Sequence, residues 1–226
     1  MWKKLFPVFL FVCIPLAGCA VKTEVSYQRP QFYPVEESMV YDAGLEKVWD
    51  TAVKSIGGSF FALDQVQKAS RTMTLSFTAA TPADFVDCGV LTYTNTGGMG
   101  DDETVTIDGA AHEARYIYAD GASQPREVVR TTTLEGKADL VFSAEGKGKT
   151  RVTVKTRYTV GVVNKGYMPV VDGYSEGVMP FATNSSVVFS GGQTGLMHGG
   201  GLTQCVSTSA LERKVLEDIR AALGAL

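Results

Sequence analysis

The chain has 226 residues, of which 45% are hydrophobic and 20% are charged, and its 21 Lys and Arg residues face 24 Asp and Glu residues. These proportions exclude collagen, coiled coil and wholesale disorder, and they are typical of a globular protein. The acidic balance, with no basic stripe along the sequence, argues against nucleic acid as a partner.

The amino terminus has the pattern of an export signal. Lys3 and Lys4 precede an apolar run from Leu5 to Leu16, which is shorter than the roughly 20 residues that a membrane-spanning helix needs. Such a run is typical of a secretory signal peptide. The sequence Leu16-Ala17-Gly18-Cys19 that closes it resembles the lipobox of bacterial lipoproteins. The resemblance implies that residues 1–18 are a signal peptide and that the thiol of Cys19 receives a lipid.

The residue after the lipobox bears on the destination of the chain. Ala20 stands where lipoproteins retained in the inner membrane carry Asp, so the resemblance implies attachment to the outer membrane with the body in the periplasm. The acyl chains would form a stable membrane anchor. Residues 19–37 contain Pro30 and Pro34, which interrupt regular structure, and we predict that they form a flexible tether. We expect residues 38–226 to form one periplasmic domain.

Hydrophobic periodicity predicts the elements of the first half of that domain. Apolar residues recur at steps of three and four from Leu45 to Ile56, which predicts a helix ending at Gly57-Gly58. Strands are predicted for Phe60 to Val66, Thr72 to Phe77 and Phe85 to Thr94. Residues 95–127 carry glycines and an acidic cluster, and we interpret them as an excursion from the sheet.

The second half contains the clearest strand pair. Leu134 to Phe142 and Val152 to Val162 place apolar residues at alternate positions on either side of a turn at 145–149, which predicts an antiparallel hairpin. Residues 189–203 are rich in glycine and are predicted to be a mobile loop. Ser209 and Glu212 form a capping-box pattern before an apolar stripe that continues to Leu226, which predicts a long amphipathic helix.

This order of elements predicts the fold class α+β, a two-layer domain in which the N-terminal and the long C-terminal helix pack on one face of an antiparallel sheet. With the lipidated Cys19, the tether and the helix that starts at Leu45, the layout resembles the helix-grip domains of the BamC family of outer-membrane assembly lipoproteins. The resemblance implies an accessory role in the cell envelope, through contact with an envelope protein.

The cysteines and histidines limit the chemistry. Cys13 leaves with the signal peptide and Cys19 is assigned to lipid, so Cys88 and Cys205 remain, and in an oxidising compartment we predict a disulfide between them. The alternative makes Cys88 a nucleophile with His112 or His198 as its base. The spacing of these residues does not match a metal site, and we predict no metal and no cofactor.

Three functions are compatible with these observations. The first is a non-catalytic envelope scaffold or accessory subunit. The second is a binding module for a lipid or another small apolar ligand, suggested by the aromatic residues Phe60, Phe61, Phe77, Phe85, Tyr93, Tyr116 and Tyr118. The third is an enzyme that uses a histidine with Asp87, Asp101, Asp102 or Asp108. Because no base and orienting partner are evident in the spacing, we predict no catalytic residues.

Overall fold

A computed structural model describes residues 21–56, 60–97, 102–121, 125–171, 176–197 and 203–225, and only the backbone over 167–171 and 176–182. Thirteen strands and two α-helices are described in these ranges. In chain order they are β1 Lys22–Gln28, β2 Ser38–Tyr41, α1 Leu45–Ile56, β3 Ala62–Gln67, β4 Thr72–Ala79, β5 Val86–Asp87, β6 Val90–Thr96, β7 Glu103–Asp108, β8 Glu113–Tyr118, β9 Arg126–Ala144, β10 Thr150–Val171, β11 Glu176–Ser190, β12 Thr194–Met197, β13 Thr203–Ser207 and α2 Ala210–Gly224.

The largest sheet is built around the two long strands β9 and β10, which pair antiparallel from Thr150 opposite Ala144 to Gly166 opposite Val128. β4 and β8 follow one another along the outer edge of β9, and β2 and β11 do the same along β10. β3 extends the sheet beyond β4. The predicted hairpin is therefore confirmed, and it is the axis of the molecule.

Two hydrophobic cores lie one after the other along the inner face of β9 and β10. Around the hairpin turn, α1 and α2 cover the sheet, and the Trp49 ring meets the Phe142 ring edge-on with centroids 5.1 Å apart. The Tyr41 hydroxyl donates a hydrogen bond of 2.7 Å to the carbonyl of Leu216 in α2. At the other end, the small sheet β1-β6-β7 supplies the covering layer, and Leu91 and Ile107 pack there with Val128.

The predicted two-layer α+β fold with helices on one face of a single sheet is wrong. In the described ranges strand residues outnumber helical residues several-fold, and the strands form three sheets. Helices cover only the half of the large sheet next to the turn. The other half is covered by the small sheet β1-β6-β7. Residues 95–127, predicted to be an excursion, supply β7 to that small sheet and β8 to the large sheet.

The predicted tether and the predicted glycine-rich loop also contain strands that pair in a sheet. Residues 22–28, predicted to belong to a flexible tether, form β1, and each of them pairs with a residue of β6. The glycine-rich segment 189–203, predicted to be a loop, contains β12, which pairs with β13 from Thr194 opposite Val206. Residues 198–202 of that segment lie outside the described ranges. In the first place the polar segment pairs with a strand that is distant in the chain, and in the second the glycine-rich segment pairs with the strand that follows it.

Candidate functional site: a cleft of arginine and tyrosine residues

A cleft of about 240 Å³ opens where the three sheets approach one another. Its walls come from the β1-β6 layer, from β8 and β9, from the middle of the β10-β11 hairpin and from β13. They consist of Val25, Leu91, Tyr93, Tyr116, Tyr118, Arg126, Val128, Arg130, Asn164, Thr183 and Thr203. Most of this surface is aromatic or aliphatic, and the polar groups lie together along β9 and the β10-β11 hairpin.

Arg130 is the unusual residue of the cleft. Its position in β9 has the same parity as Leu134 and Leu140, so the alternation of the strand points it inward, and only 6% of its surface is exposed. Its Nη2 donates a hydrogen bond of 3.1 Å to the carbonyl of Gly109, whereas its buried Nε has no hydrogen-bond partner in the part of the chain that the structure describes. Within the described ranges no acidic side chain forms an ion pair with it.

The electrostatics of the cleft are set by burial. Burial lowers the pKa of the Arg130 guanidinium, and the nearby Tyr93, Tyr116 and Tyr27 oppose that change. Burial raises the pKa of Tyr116, with a further increase from Tyr93. Tyr116 therefore stays neutral at physiological pH, and among the described residues no acidic side chain pairs with the charge of Arg130.

The aromatic walls are packed against one another. The Tyr93 and Tyr116 rings are stacked with centroids 3.9 Å apart, and the Arg126 guanidinium lies 4.9 Å from the centroid of the Tyr118 ring. Arg126 also faces Asp120 at 4.0 Å. Arg126 thus differs from Arg130 on the same face of β9, because Asp120 and the Tyr118 ring already lie beside its charge.

The predicted disulfide is confirmed and lies beneath this region. Cys88 and Cys205 are bonded, and both are buried. The Tyr27 hydroxyl accepts a hydrogen bond of 2.8 Å from the amide of Gln204 and lies 3.0 Å from its carbonyl and 3.2 Å from the carbonyl of Cys88. The disulfide and Tyr27 together hold β13, and with it Thr203, against the β1-β6 layer.

A second buried polar cluster surrounds Glu212, which the sequence predicted only as part of a capping box. Glu212, in the first turn of α2, is fully buried and accepts hydrogen bonds from the hydroxyls of Thr156 and Tyr158, the latter at 3.0 and 3.1 Å. The Tyr158 hydroxyl also lies 3.0 Å from the Ser207 hydroxyl. These hydroxyl donors surround the carboxylate and fasten α2 to β10, so we interpret Glu212 as a structural residue.

The other residues weighed from the sequence do not come together. The Nδ1 of His112 lies 3.3 Å from the carbonyl of Thr132. Asp87 and Asp108 accept hydrogen bonds of 2.8 Å from the amides of Gly89 and Ala110, respectively, which is the role of turn residues. Cys19, His198 and Asp101 lie outside the described residues. Within the described ranges, no three His, Cys, Asp or Glu side chains are grouped so that they could hold a metal ion.

The aromatic residues proposed from the sequence to surround a ligand divide into two groups. Phe60, Phe61, Phe77 and Phe85 form one packed cluster, with centroid distances of 5.1 to 6.4 Å. Tyr93, Tyr116 and Tyr118 line the cleft. Arg130 was missed, although a signal for it was present, because the inward parity of Leu134 continues back through Thr132 to Arg130 and Val128.

Comparison with known proteins adds no relative. No family model matches the chain, and no curated protein and no solved structure shows significant similarity to it. The resemblances to lipoproteins and to the BamC family stay predictions from the sequence, but the helix-grip layout that suggested the second is not the layout of this structure. Neither of the helices described here is long and apolar enough to cross a membrane.

Proposed function

We propose that this protein is a lipoprotein anchored in the outer membrane through Cys19, facing the periplasm, and that it acts without catalysis as a scaffold or accessory subunit in envelope assembly or maintenance. The lipobox pattern of the sequence supports the anchor. The observation that carries the proposal is the position of β1, which begins only three residues after Cys19.

The register of β1 indicates which end of the molecule would meet the membrane. Lys22 forms a bridge with Asp120, just beyond β8, and the amide of Thr23 donates a hydrogen bond of 2.8 Å to the carbonyl of Ala119. The bridge is antiparallel, so the chain preceding Lys22 points in the direction in which β8 ends. Three extended residues span about 10 Å, and the anchor would therefore hold the body close to the bilayer.

The β10-β11 hairpin extends toward the same end. β8 ends at Tyr118 opposite Arg126, where β9 begins, and the β9-β10 pairing stops at Gly166. The β10-β11 pairing continues to Val171 opposite Glu176, about 16 Å further at the usual rise per residue. In the described ranges this outer part of the hairpin is two-stranded, and open strand edges are a common means of recognising another chain.

The sequence of this outer hairpin fits a contact surface. Residues 167–171 read Tyr-Met-Pro-Val-Val and residues 178–181 read Val-Met-Pro-Phe, so apolar residues occupy successive register positions on both strands. A scaffold anchored by lipid and carrying such a hairpin beside the bilayer would meet its partner at the membrane surface. We expect that partner to be an envelope protein.

The anchor and the partner are tested separately. Labelled palmitate should be incorporated into the wild-type chain and not into Cys19→Ser, and the absence of label in the wild type would reject the anchor. A photo-crosslinking amino acid at Val171, in the outer hairpin, should capture a discrete envelope protein in cells. The matched control is Val188, which lies on β11 opposite Thr159 and is 59% exposed; equal capture at both positions would reject a hairpin-specific partner.

A second function, a binding module for a small ligand, is favoured by the cleft beside the stacked Tyr93 and Tyr116. Enclosed aromatic surface with a few polar groups is the usual composition of a ligand site. Native mass spectrometry of the protein after removal of its acyl chains should then show a retained small molecule in a fraction of the chains. A uniform ligand-free mass would count against this second function.

A further inference from the structure

We infer that the cleft around Arg130 binds a small organic anion, with a carboxylate or phosphate group at Arg130 and an aromatic or apolar body against the tyrosines. This inference deepens the second function proposed above, because it names the chemical class of the ligand. It does not depend on lipidation at Cys19.

The first step of the argument is the unpaired charge. A guanidinium buried to more than nine-tenths is costly unless an opposite charge or a full set of acceptors surrounds it. Among the described residues Arg130 has one acceptor, the carbonyl of Gly109 at 3.1 Å, and its Nε has none. No ion pair links it to an acid among the described side chains. An anion in the cleft would supply the missing charge and the missing acceptor through the planar donor geometry that arginine offers to carboxylates and phosphates.

The second step is the composition of the apolar lining of the cleft. Tyr93, Tyr116 and Leu91 present ring and aliphatic surface beside the arginine. A free inorganic anion would leave that surface unused, whereas a ring or short apolar group would bury it. Asn164 lies opposite Arg130 in the β9-β10 register, and its buried Oδ1 likewise has no hydrogen-bond partner among the described residues. A hydroxyl or amide donor on the ligand would satisfy that oxygen.

The third step is size. At about 240 Å³ the cleft is smaller than the roughly 300 to 1,000 Å³ typical of sites for drug-sized ligands. It suits a single ring with its substituents better than an acyl chain. A full-length lipid is therefore a poor fit, and the ligand class narrows from apolar molecules in general to small amphipathic anions.

The test is isothermal titration of the purified full chain, in detergent, with para-hydroxybenzoate and with its uncharged analogue para-hydroxybenzamide. We expect the anion to bind at least about tenfold more tightly than the amide, because a hydrogen bond to a buried charge is among the stronger polar contacts. Arg130→Gln should weaken binding of the anion by at least about tenfold. Arg115→Gln is the matched control, since Arg115 is 62% exposed on β8 and pairs with Glu113 and Glu127.

A further variant guards against misfolding of Arg130→Gln. Val25 is 45% exposed and lines the cleft from β1, so Val25→Trp should obstruct the site without touching Arg130, and binding of the anion should be lost while circular dichroism stays native. Equal affinity for anion and amide, or unchanged anion binding in folded Arg130→Gln, would overturn the inference and leave the ligand-binding function standing. If the wild-type chain binds neither probe, both are rejected.

Discussion

The disulfide between Cys88 and Cys205 should supply a large part of the stability of this protein. The two residues are separated by 117 positions, and the chain-entropy model assigns a closed loop of that length about 5 kcal/mol. Domains of this kind have net stabilities of only about 5 to 15 kcal/mol. We therefore expect Cys88→Ala/Cys205→Ala to lose between a third of its free energy of unfolding and nearly all of it.

The assay is urea unfolding followed by the fluorescence of Trp49, which is 2% exposed and packs against Phe142. The double variant should unfold at a lower urea midpoint. Its m-value should rise, because an unfolded chain without the cross-link exposes more surface. Wild type unfolded in the presence of reductant is the matched control, since it keeps both sulfur atoms and loses only the bond.

A loss below about 1 kcal/mol, in both the double variant and the reduced wild type, would refute this reasoning. It would mean that the unfolded chain already holds the two cysteine segments together, or that the native bond is strained. A loss in the double variant alone would instead assign the stability to packing of the two buried side chains.

Three further results are expected. Arg130→Met should have a free energy of unfolding, measured in urea, that is higher than that of wild type or at most about 1 kcal/mol lower, since replacing an unpaired buried charge with an apolar side chain is often neutral or stabilising. A loss above about 3 kcal/mol would show that the charge is already compensated. Gly136→Ala should lower the melting temperature, because the added Cβ would lie 2.4 Å from the Phe77 ring. Gly44→Ala is the control and should not lower it, because its added Cβ would meet no described heavy atom within 4 Å. Equal effects of the two substitutions would contradict the packing argument. Burial raises the pKa values of Tyr41, Tyr116 and Tyr158 above their usual value of 10.0, so these side chains ionise first in the unfolded chain. Their contribution to the free energy of unfolding should stay constant below pH 10 and fall as pH rises above it, and ionisation of these three tyrosines before unfolding, measured by tyrosinate absorbance against Tyr→Phe variants, would contradict this.

The elements with strong local signals were predictable. The helix at Leu45–Ile56, the hairpin of β9 and β10 and the C-terminal helix all follow from periodicity over a dozen or more residues, and the structure confirms each of them. The cysteine pairing followed from elimination and from the predicted oxidising compartment. In these cases the signal that predicts the structure lies within one segment of the sequence, or in the number of cysteines.

The capping box shows where a local signal is misleading. Ser209 and Glu212 correctly predicted the start of α2, but the Ser209 side chain makes no cap hydrogen bond and instead accepts one of 3.0 Å from the amide of Glu36. Glu212 turns to Thr156 and Tyr158 of β10. The helix begins where predicted, while the residues expected to cap it are engaged with distant segments.

The sequence by itself determined the export pattern with Cys19, the two helices, the central hairpin and the parity that points Arg130 inward. Only the tertiary structure decided what lies across from each part of the hairpin: helices beside Phe142, and a β layer with tyrosines beside Arg130. Parity is a property of one strand. The covering layer depends on short strands such as β1, which pairs with the distant β6, and pairing between distant segments leaves no periodic trace in either segment alone.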